Sequence, residues 1–217
     1  HRVFRVNLST GVCDWNYSGS YPNSIDIQNN ILYSFNRSNL LVRNLSTNTN
    51  ISCSYSGDLR NQGRNAYGMA VDHNGANMYL QYYRDLYRFT IGSNKCPSTT
   101  KSFKVTSPMG YYSYGMKMHP TDDSILYATS YYSHRIYKVV LNSGKTGVQS
   151  STYKGSCCTG ASTTSNVRMY YPMGIDIDAT NNRIAVVQYQ RNSVQIFDLN
   201  LGFIKEIGGA AGTRMTG

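Results

Sequence analysis

The residues best suited to chemistry in this sequence are paired aromatics and arginines. They recur as Tyr82-Tyr83-Arg84, Tyr131-Tyr132-Ser133-His134-Arg135, Tyr189-Gln190-Arg191 and Phe35-Asn36-Arg37. Tyrosine offers a large flat surface with a hydroxyl at its edge, and arginine a planar fork that fits carboxylate or sulfate. Together they suit recognition of a protein or glycan rather than bond-making. Tyr21, Tyr67, Tyr111, Tyr112, Tyr114, Tyr170 and Tyr171 stand just before stretches that read as strands. The competing explanation is that tyrosine is a strand former and arginine packs turns.

Catalytic constellations do not assemble from the sequence. There is no G-x-S-x-G, no phosphate-binding glycine loop, no H-E-x-x-H and no pair of carboxylates at a catalytic spacing. His1, His73, His119 and His134 are far apart. Asp26 and Asp176 are calcium candidates, although period-2 alternation alone puts a polar residue between apolar ones in a strand. Asp72 and Asp178 read as turn caps. The expectation is a protein that is not an enzyme, without metal or cofactor, but carrying N-linked glycans.

The glycan expectation rests on Asn-X-Ser/Thr sequons at Asn7, Asn16, Asn36, Asn44 and Asn50, all near one end of the chain. Cys13, Cys53, Cys96, Cys157 and Cys158 contain no C-x-x-C pair, which argues for disulfides in an oxidising compartment over zinc. Their connectivity stays open, and the odd number leaves one sulfur free or bonded to another chain. Adjacent Cys157 and Cys158 either bridge separately or form a vicinal ring. These features point to a secreted or cell-surface protein. The first residues lack a signal-peptide layout and read as mature or trimmed, and no window approaches a membrane span. Lys and Arg number 21 against 11 Asp and Glu, for a net charge of +10. The basic residues are scattered, without the blocks or motifs of a nucleic-acid binder, so acidic glycans are a possible partner and nucleic acid is not.

What must position these residues is a repeat. Short strands open at Ser24-Ile25-Asp26-Ile27, Gly68-Met69-Ala70-Val71, Gly115-Met116-Lys117-Met118 and Gly174-Ile175-Asp176-Ile177. Each is followed by a polar turn, a second strand, a turn with Arg or Asn, and a third strand, a spacing that suits four-stranded propeller blades. In the last repeat, Arg183 to Tyr189, Val194 to Leu199 and Phe203 to Ile207 continue as second, third and fourth strands. With one glutamate and 20 tyrosines, the chain should be almost entirely β.

The stretch YPMGIDIDATNNRIAVVQYQRNSVQIFDLNLGFIKEIGG, residues 171–209, closely resembles an NHL repeat, and the resemblance weakens toward the N-terminus. HRVFRVNLSTGVCDW matches the later HRIYKVVLNSGKTGVQS, so residues 1–19 read as half a blade. The resemblance implies an all-β propeller domain over residues 1–217, with blades near 1–19 (half), 22–57, 66–105, 113–155 and 171–209. About four and a half blades are present, of six in a complete ring. It also implies that an amidating-lyase-like relative would need histidines gathered around zinc, which the scattered positions here do not suggest. In propellers, connectors between blades share a face with the second-to-third turns. That frame gathers Tyr82, Tyr83, Arg84, Tyr111, Tyr112, Tyr131, Tyr132, Arg135, Tyr170, Tyr171, Tyr189 and Arg191 on one aromatic, cationic face. The function expected is a structural, adhesive or assembly module, such as a protomer of an extracellular fibre or matrix. The alternatives are a soluble glycan- or protein-binding propeller and, third, an NHL-like lyase or lactonase.

Overall fold

Runs of β-branched and aromatic residues, broken by Asn, Gly and Asp turns, fold into antiparallel hairpins along the whole chain. The computed structural model describes residues 2–6, 9–18, 22–36, 38–106, 109–157, 162–163 and 167–209, with the backbone only at 2, 4, 14–18, 22 and 106. Asn7 and Cys158 lie outside the described residues, as do His1, Tyr21 and Arg37, and so does the side chain of Asn16.

A two-stranded sheet comes first, β1 (Arg2–Val6) with β2 (Cys13–Ser18). Four four-stranded sheets follow. Blade 1 holds β3 (Pro22–Gln28), β4 (Ile31–Asn36), β5 (Leu40–Asn44) and β6 (Thr49–Ile51). Blade 2 holds β7 (Gly68–Val71), β8 (Asn77–Tyr82), β9 (Asp85–Thr90) and β10 (Phe103–Thr106). Blade 3 holds β11 (Met116–Met118), β12 (Ile125–Ser130), β13 (Arg135–Leu141) and β14 (Val148–Lys154), and blade 4 holds β15 (Pro172–Asp178), β16 (Arg183–Gln188), β17 (Ser193–Asp198) and β18 (Phe203–Gly208). Each sheet is an antiparallel meander in chain order, and the first strands β3, β7, β11 and β15 contact one another in turn around a channel. The sheets are blades of a β-propeller. One helical turn pair, α1 (Gly57–Gly63), interrupts the connector between blades 1 and 2 and buries Leu59 there, an element the strand-dominated sequence does not announce.

Local chemistry explains the hairpins. Asn29 and Asn30 both adopt positive φ between β3 and β4, the backbone that a two-residue type I′ turn requires. Between blades, packing takes over. Tyr33, Tyr79 and Tyr127 occupy the third position of β4, β8 and β12, are almost wholly buried, and fill the spaces between neighbouring sheets. Burial pushes the Tyr33 hydroxyl up to about 12, and Tyr127 donates its hydroxyl to Leu199 O at 2.7 Å in the next blade. Each such ring removes enough apolar surface to stabilise the fold by roughly 2 kcal/mol.

The small residue opening each first strand also has a packing cause. A Cβ at Gly115 would meet Met173 O at 2.5 Å, and one at Gly68 would meet the Met116 sulfur at 2.8 Å. Neighbouring first strands approach too closely for a side chain there. At Gly174 the nearest contact would be an ordinary 3.7 Å to Val187, because no further blade follows among the described residues. On that open side Val187 and Ile207 are exposed, as are Ile25 and Ile27 at the other end, beside the two-stranded sheet.

Candidate functional site

First strands run from the tyrosine connectors toward Asp- and His-bearing turns, so the two ends of the channel carry different chemistry. At the first end lies a continuous network of rings. Tyr83 meets Tyr111 at 5.0 Å and Tyr112 at 5.5 Å, and Tyr112 meets Tyr132 at 5.6 Å. Tyr131 joins Tyr132 (5.0 Å), Tyr114 (5.1 Å) and Tyr171 (4.5 Å), and Tyr114 lies tilted against Tyr67 at 4.7 Å. Tyr171 leads on to Tyr170 at 5.3 Å and to the His134 ring at 4.6 Å, and Tyr82 joins at Tyr83. Many of the pairs are edge-on or tilted, the geometry aromatic quadrupoles favour. The tyrosines that the sequence assigns to this face are thereby brought together, with Tyr189 beside them on the β16–β17 turn, 58% exposed. Tyr132 is 59% and Tyr83 48% exposed, so the network presents ring surface to solvent.

The backbone beneath is unusual. Tyr83, Tyr112, His134 and Tyr171 all have positive φ, between 51° and 58°. For bulky side chains this is a disfavoured conformation. It is maintained by hydrogen bonds that tie connectors to turns: Tyr112 N donates to Tyr83 O, Tyr131 N to Tyr112 O and Tyr189 N to Tyr171 O. Gln81 donates to Gly110 O at 2.9 Å, Ser130 to Tyr111 O at 3.2 Å, and Gln188 accepts from Tyr170 N at 2.7 Å. Tyr171 N donates to His134 Nδ1 at 3.2 Å, and burial lowers the His134 pKa, which keeps the ring a neutral acceptor. Burial among neighbouring phenols raises the pKa of Tyr112, Tyr114 and Tyr131, so their hydroxyls stay protonated.

The arginines depart from the expectation. Arg84 stays with the rings, its guanidinium 4.6 Å from the Tyr111 centroid. Arg135 instead lies 4.0 Å from the ring of Tyr153 on β14, and Arg191 pairs with Glu206 on β18 at 2.8 Å. Both turn toward the outermost strand of their own blade, Arg135 from the start of β13 and Arg191 from the turn before β17. Among the described residues of the pattern, only Arg84 adds a cation to the aromatic face.

The channel answers the calcium question. Asp26 is buried, accepts from Val71 N at 2.8 Å, and takes Lys117 Nζ at 2.8 Å. Asp176 stands 3.5 Å from the same ammonium. Lys117 therefore stands between the two carboxylates named as calcium candidates and supplies a positive charge to both. Burial raises the Asp26 pKa against the pull of Lys117. Burial also works against the Lys117 charge, but the two carboxylates outweigh it and raise its pKa. Among the described residues, no group of three or more His, Cys, Asp or Glu side chains is arranged to hold a metal.

At the far end the turns are stitched by charge. His73 takes Asp123 at 2.7 Å through both its backbone N and Nδ1, and Gln28 and Asn29 of blade 1 donate to His73 O at 2.8 Å. Asp72 is fully buried, accepts from Ala76 N and Asn77 N at 2.8 Å, and pairs with Lys145 at 3.4 Å. Asp178 accepts from Thr180 N and Asn181 N, so both aspartates cap turns as the sequence suggests.

Cys53 and Cys96 form a disulfide that ties the connector after blade 1 to the outer turn of blade 2. Cys157 is disulfide-bonded, and Cys13 is exposed. Of the sequons, Asn36 is only 4% exposed and its Oδ1 accepts from Ser38 N and Asn39 N. That takes Asn36 out of the surface acceptors, because its amide closes a turn. Asn44 is half-buried and caps the next turn through Ser46 N, and Asn50 is exposed on β6.

Solved structures share this architecture. The protein is similar to the β-propeller domain of Myceliophteria thermophila Cps50 (Swd1), with a TM-score of 0.58 and 11% identity over 89% of this chain and 57% of that one. It is also similar to a functionally unknown protein of Desulfotomaculum acetoxidans, with a TM-score of 0.62 and 16% identity over 94% and 62%. Hydrazine synthase of Kuenenia stuttgartiensis follows, with a TM-score of 0.55 and 16% identity over 85% and 48%. The fold is shared. At these identities the likeness shows the fold alone, and the chain spans less than two thirds of each of these structures. No family model matches the chain, and no curated protein matches its sequence.

Proposed function

We propose that this chain is an extracellular, N-glycosylated propeller of NHL-like repeats that binds or assembles through its tyrosine face and catalyses nothing. Propellers in general serve as interaction or scaffold modules, which supplies the coarse class. The observation that carries the finer reading is a comparison within the repeat. The second-to-third turn adopts positive φ at Tyr83 in blade 2, His134 in blade 3 and Asn192 in blade 4. Asn and His tolerate that backbone comparatively cheaply, and tyrosine does not. Blade 2 nevertheless holds a tyrosine there, and strain retained at such a position accompanies function. Secretion is supported by the Cys53–Cys96 disulfide and by sequons at Asn44 and Asn50 on the rim. The non-catalytic reading is supported by the engagement of His73, Asp123 and Asp72 in turns.

Self-assembly into a fibre or matrix is favoured over capture of acidic glycans, since Arg135 and Arg191 are already engaged by Tyr153 and Glu206. The test is light scattering and electron microscopy of the intact glycoprotein beside a Tyr83→Asn, Tyr132→Asn double variant. Aromatic anchors in interfaces contribute about 2 kcal/mol or more, so association should weaken by roughly 30-fold or more. A wild type that stays monomeric at high concentration sinks the assembly reading.

A further inference from the structure

At the tyrosine end of the channel, the four first strands enclose a cavity of about 330 Å³. Its wall carries the rings of Tyr67 and Tyr114, tilted against each other, and its floor the Lys117 ammonium beside Asp176. The Asp176 side chain is 80% exposed and spends one weak contact on Lys117, so its remaining lone pairs face water. Lys117 Nζ, with three hydrogens, is held by Asp26 and Asp176 and has one N–H left for a third acceptor. On the same wall stands Ser24, 8% exposed, whose Oγ has no hydrogen-bond partner.

Ser24 holds the frame position that is Gly68, Gly115 and Gly174 in the other blades. Packing asks only for a small residue at this position, and an unpaired buried hydroxyl costs stability. A ligand in the cavity finds its polar partners instead in Lys117 and Asp176, the groups that face water. Hydroxyl groups both donate and accept, so one can take the spare Lys117 hydrogen while giving its own to Asp176. A flat, apolar C–H face can lie on the Tyr67 and Tyr114 rings. The two carboxylates and one ammonium sum to −1 when all are charged, within a chain of net charge +10. An anionic ligand therefore meets Asp176 as a like charge.

We infer that the channel mouth is a binding site for a neutral hexopyranose, free or as the end unit of a glycan. This goes beyond the assembly reading and does not depend on it. The test is ligand-observed saturation-transfer NMR on the intact protein with the methyl glycosides of glucose, galactose and mannose, and with glucuronate as the anionic comparison. Titration would give the dissociation constants. At least one neutral glycoside should bind in the millimolar range or tighter, with glucuronate at least 10-fold weaker. Asp176→Ala should weaken binding at least 10-fold, and being exposed it should leave the fold unchanged. Ser24→Gly restores the glycine of the other repeats and, because the Ser24 Oγ is buried, should leave both sugar binding and Tm unaltered. Tyr83→Asn should leave sugar binding unaltered, which separates this site from the assembly face. No saturation transfer from any neutral glycoside at 10 mM overturns the proposal, as does affinity unchanged in Asp176→Ala or glucuronate binding as tightly. If binding passes these tests, the same glycosides on a longer oligosaccharide will tell a free sugar from a glycan terminus.

Discussion

The two ends of the channel hold their turns by opposite means. At the far end, Asp72, His73, Asp123 and Lys145 satisfy one another, and the blades are joined by ion pairs and amide bonds with little left over. At the tyrosine end, the turns are joined by ring contacts, and Tyr83, Tyr111 and Tyr132 still present a third or more of their surface to water. A region that consumes its own chemistry is structural. One that carries surplus aromatic surface is poised for something outside the chain.

Breaking the structural end should therefore have the largest effect on the fold. Asp72→Ala strips two backbone N–H groups and Lys145 of a buried acceptor. The expected loss is about 3 kcal/mol, which for a chain of this size lowers Tm by roughly 6–12 °C. Association through the tyrosine face, measured below the melting range, should be unchanged. Thermal denaturation checks the first expectation and light scattering the second. A small Tm change would mean that the ionic stitching contributes little, and would erase the contrast between the ends.

The difference between the ends is partly legible in the sequence. The blade frame follows from period-2 alternation and turn residues, which act locally, and it places Tyr83, Tyr112, Tyr131 and Tyr171 together. The three core tyrosines stand in the same frame, since ILYSFN, NMYLQY and ILYATS align Tyr33, Tyr79 and Tyr127, yet composition alone does not tell a core ring from a surface one. The directions of Arg135 and Arg191 are not legible. They depend on the pairing of the outermost strands, which sets Tyr153 opposite Tyr137 and Glu206 opposite Gln195, within reach of the two arginines, and that pairing is a tertiary property. Lys117 reads from the first-strand pattern as a channel residue, but its role as the cation between Asp26 and Asp176 requires three blades in place. Helix α1 rests on a short polar stretch whose only strong signal is Leu59, buried against blades 1 and 2.

Acid should sharpen the contrast with a smaller effect. The folded pKa of His134 lies below its unfolded value because burial opposes the charge. A depressed histidine pKa contributes stability that is present above the unfolded value, near 6.5, and is lost as pH falls through the folded one. Protonation at Nδ1 removes the acceptor for Tyr171 N, worth about 1 kcal/mol. His119, at the far end, is depressed for the same reason and adds in the same direction, whereas Asp123 is held below the usual carboxylate range and stays charged until lower pH. Melting curves between pH 7.5 and 5 should therefore show Tm falling with acid, and His134→Asn should remove part of that slope. Tyrosine fluorescence would follow the loosening at the ring network. A slope untouched by His134→Asn assigns the acid sensitivity to the far end.

The smallest expected effect on stability decides the most about function. Tyr83→Asn places at the blade 2 turn the residue that blade 4 uses at Asn192, where the same positive φ is needed. Two terms compete. Relief of the left-handed backbone favours the variant by roughly 1–2 kcal/mol, while loss of the ring contacts to Tyr111 and Tyr112 opposes it by a similar amount, each such pair being worth about 0.5–1.5 kcal/mol. The net change should lie within about 1 kcal/mol of zero, or roughly 4 °C in Tm. Tyr132→Asn is the control, because Tyr132 makes comparable contacts to Tyr112 and Tyr131 without a positive φ, and it should be the less stable variant of the two. If Tyr83→Asn melts no lower than Tyr132→Asn while association falls in both, the ring at position 83 is kept for a partner and not for the fold. If Tyr83→Asn is much the more damaging, the rings are internal cement, and the tyrosine end is structural like the other.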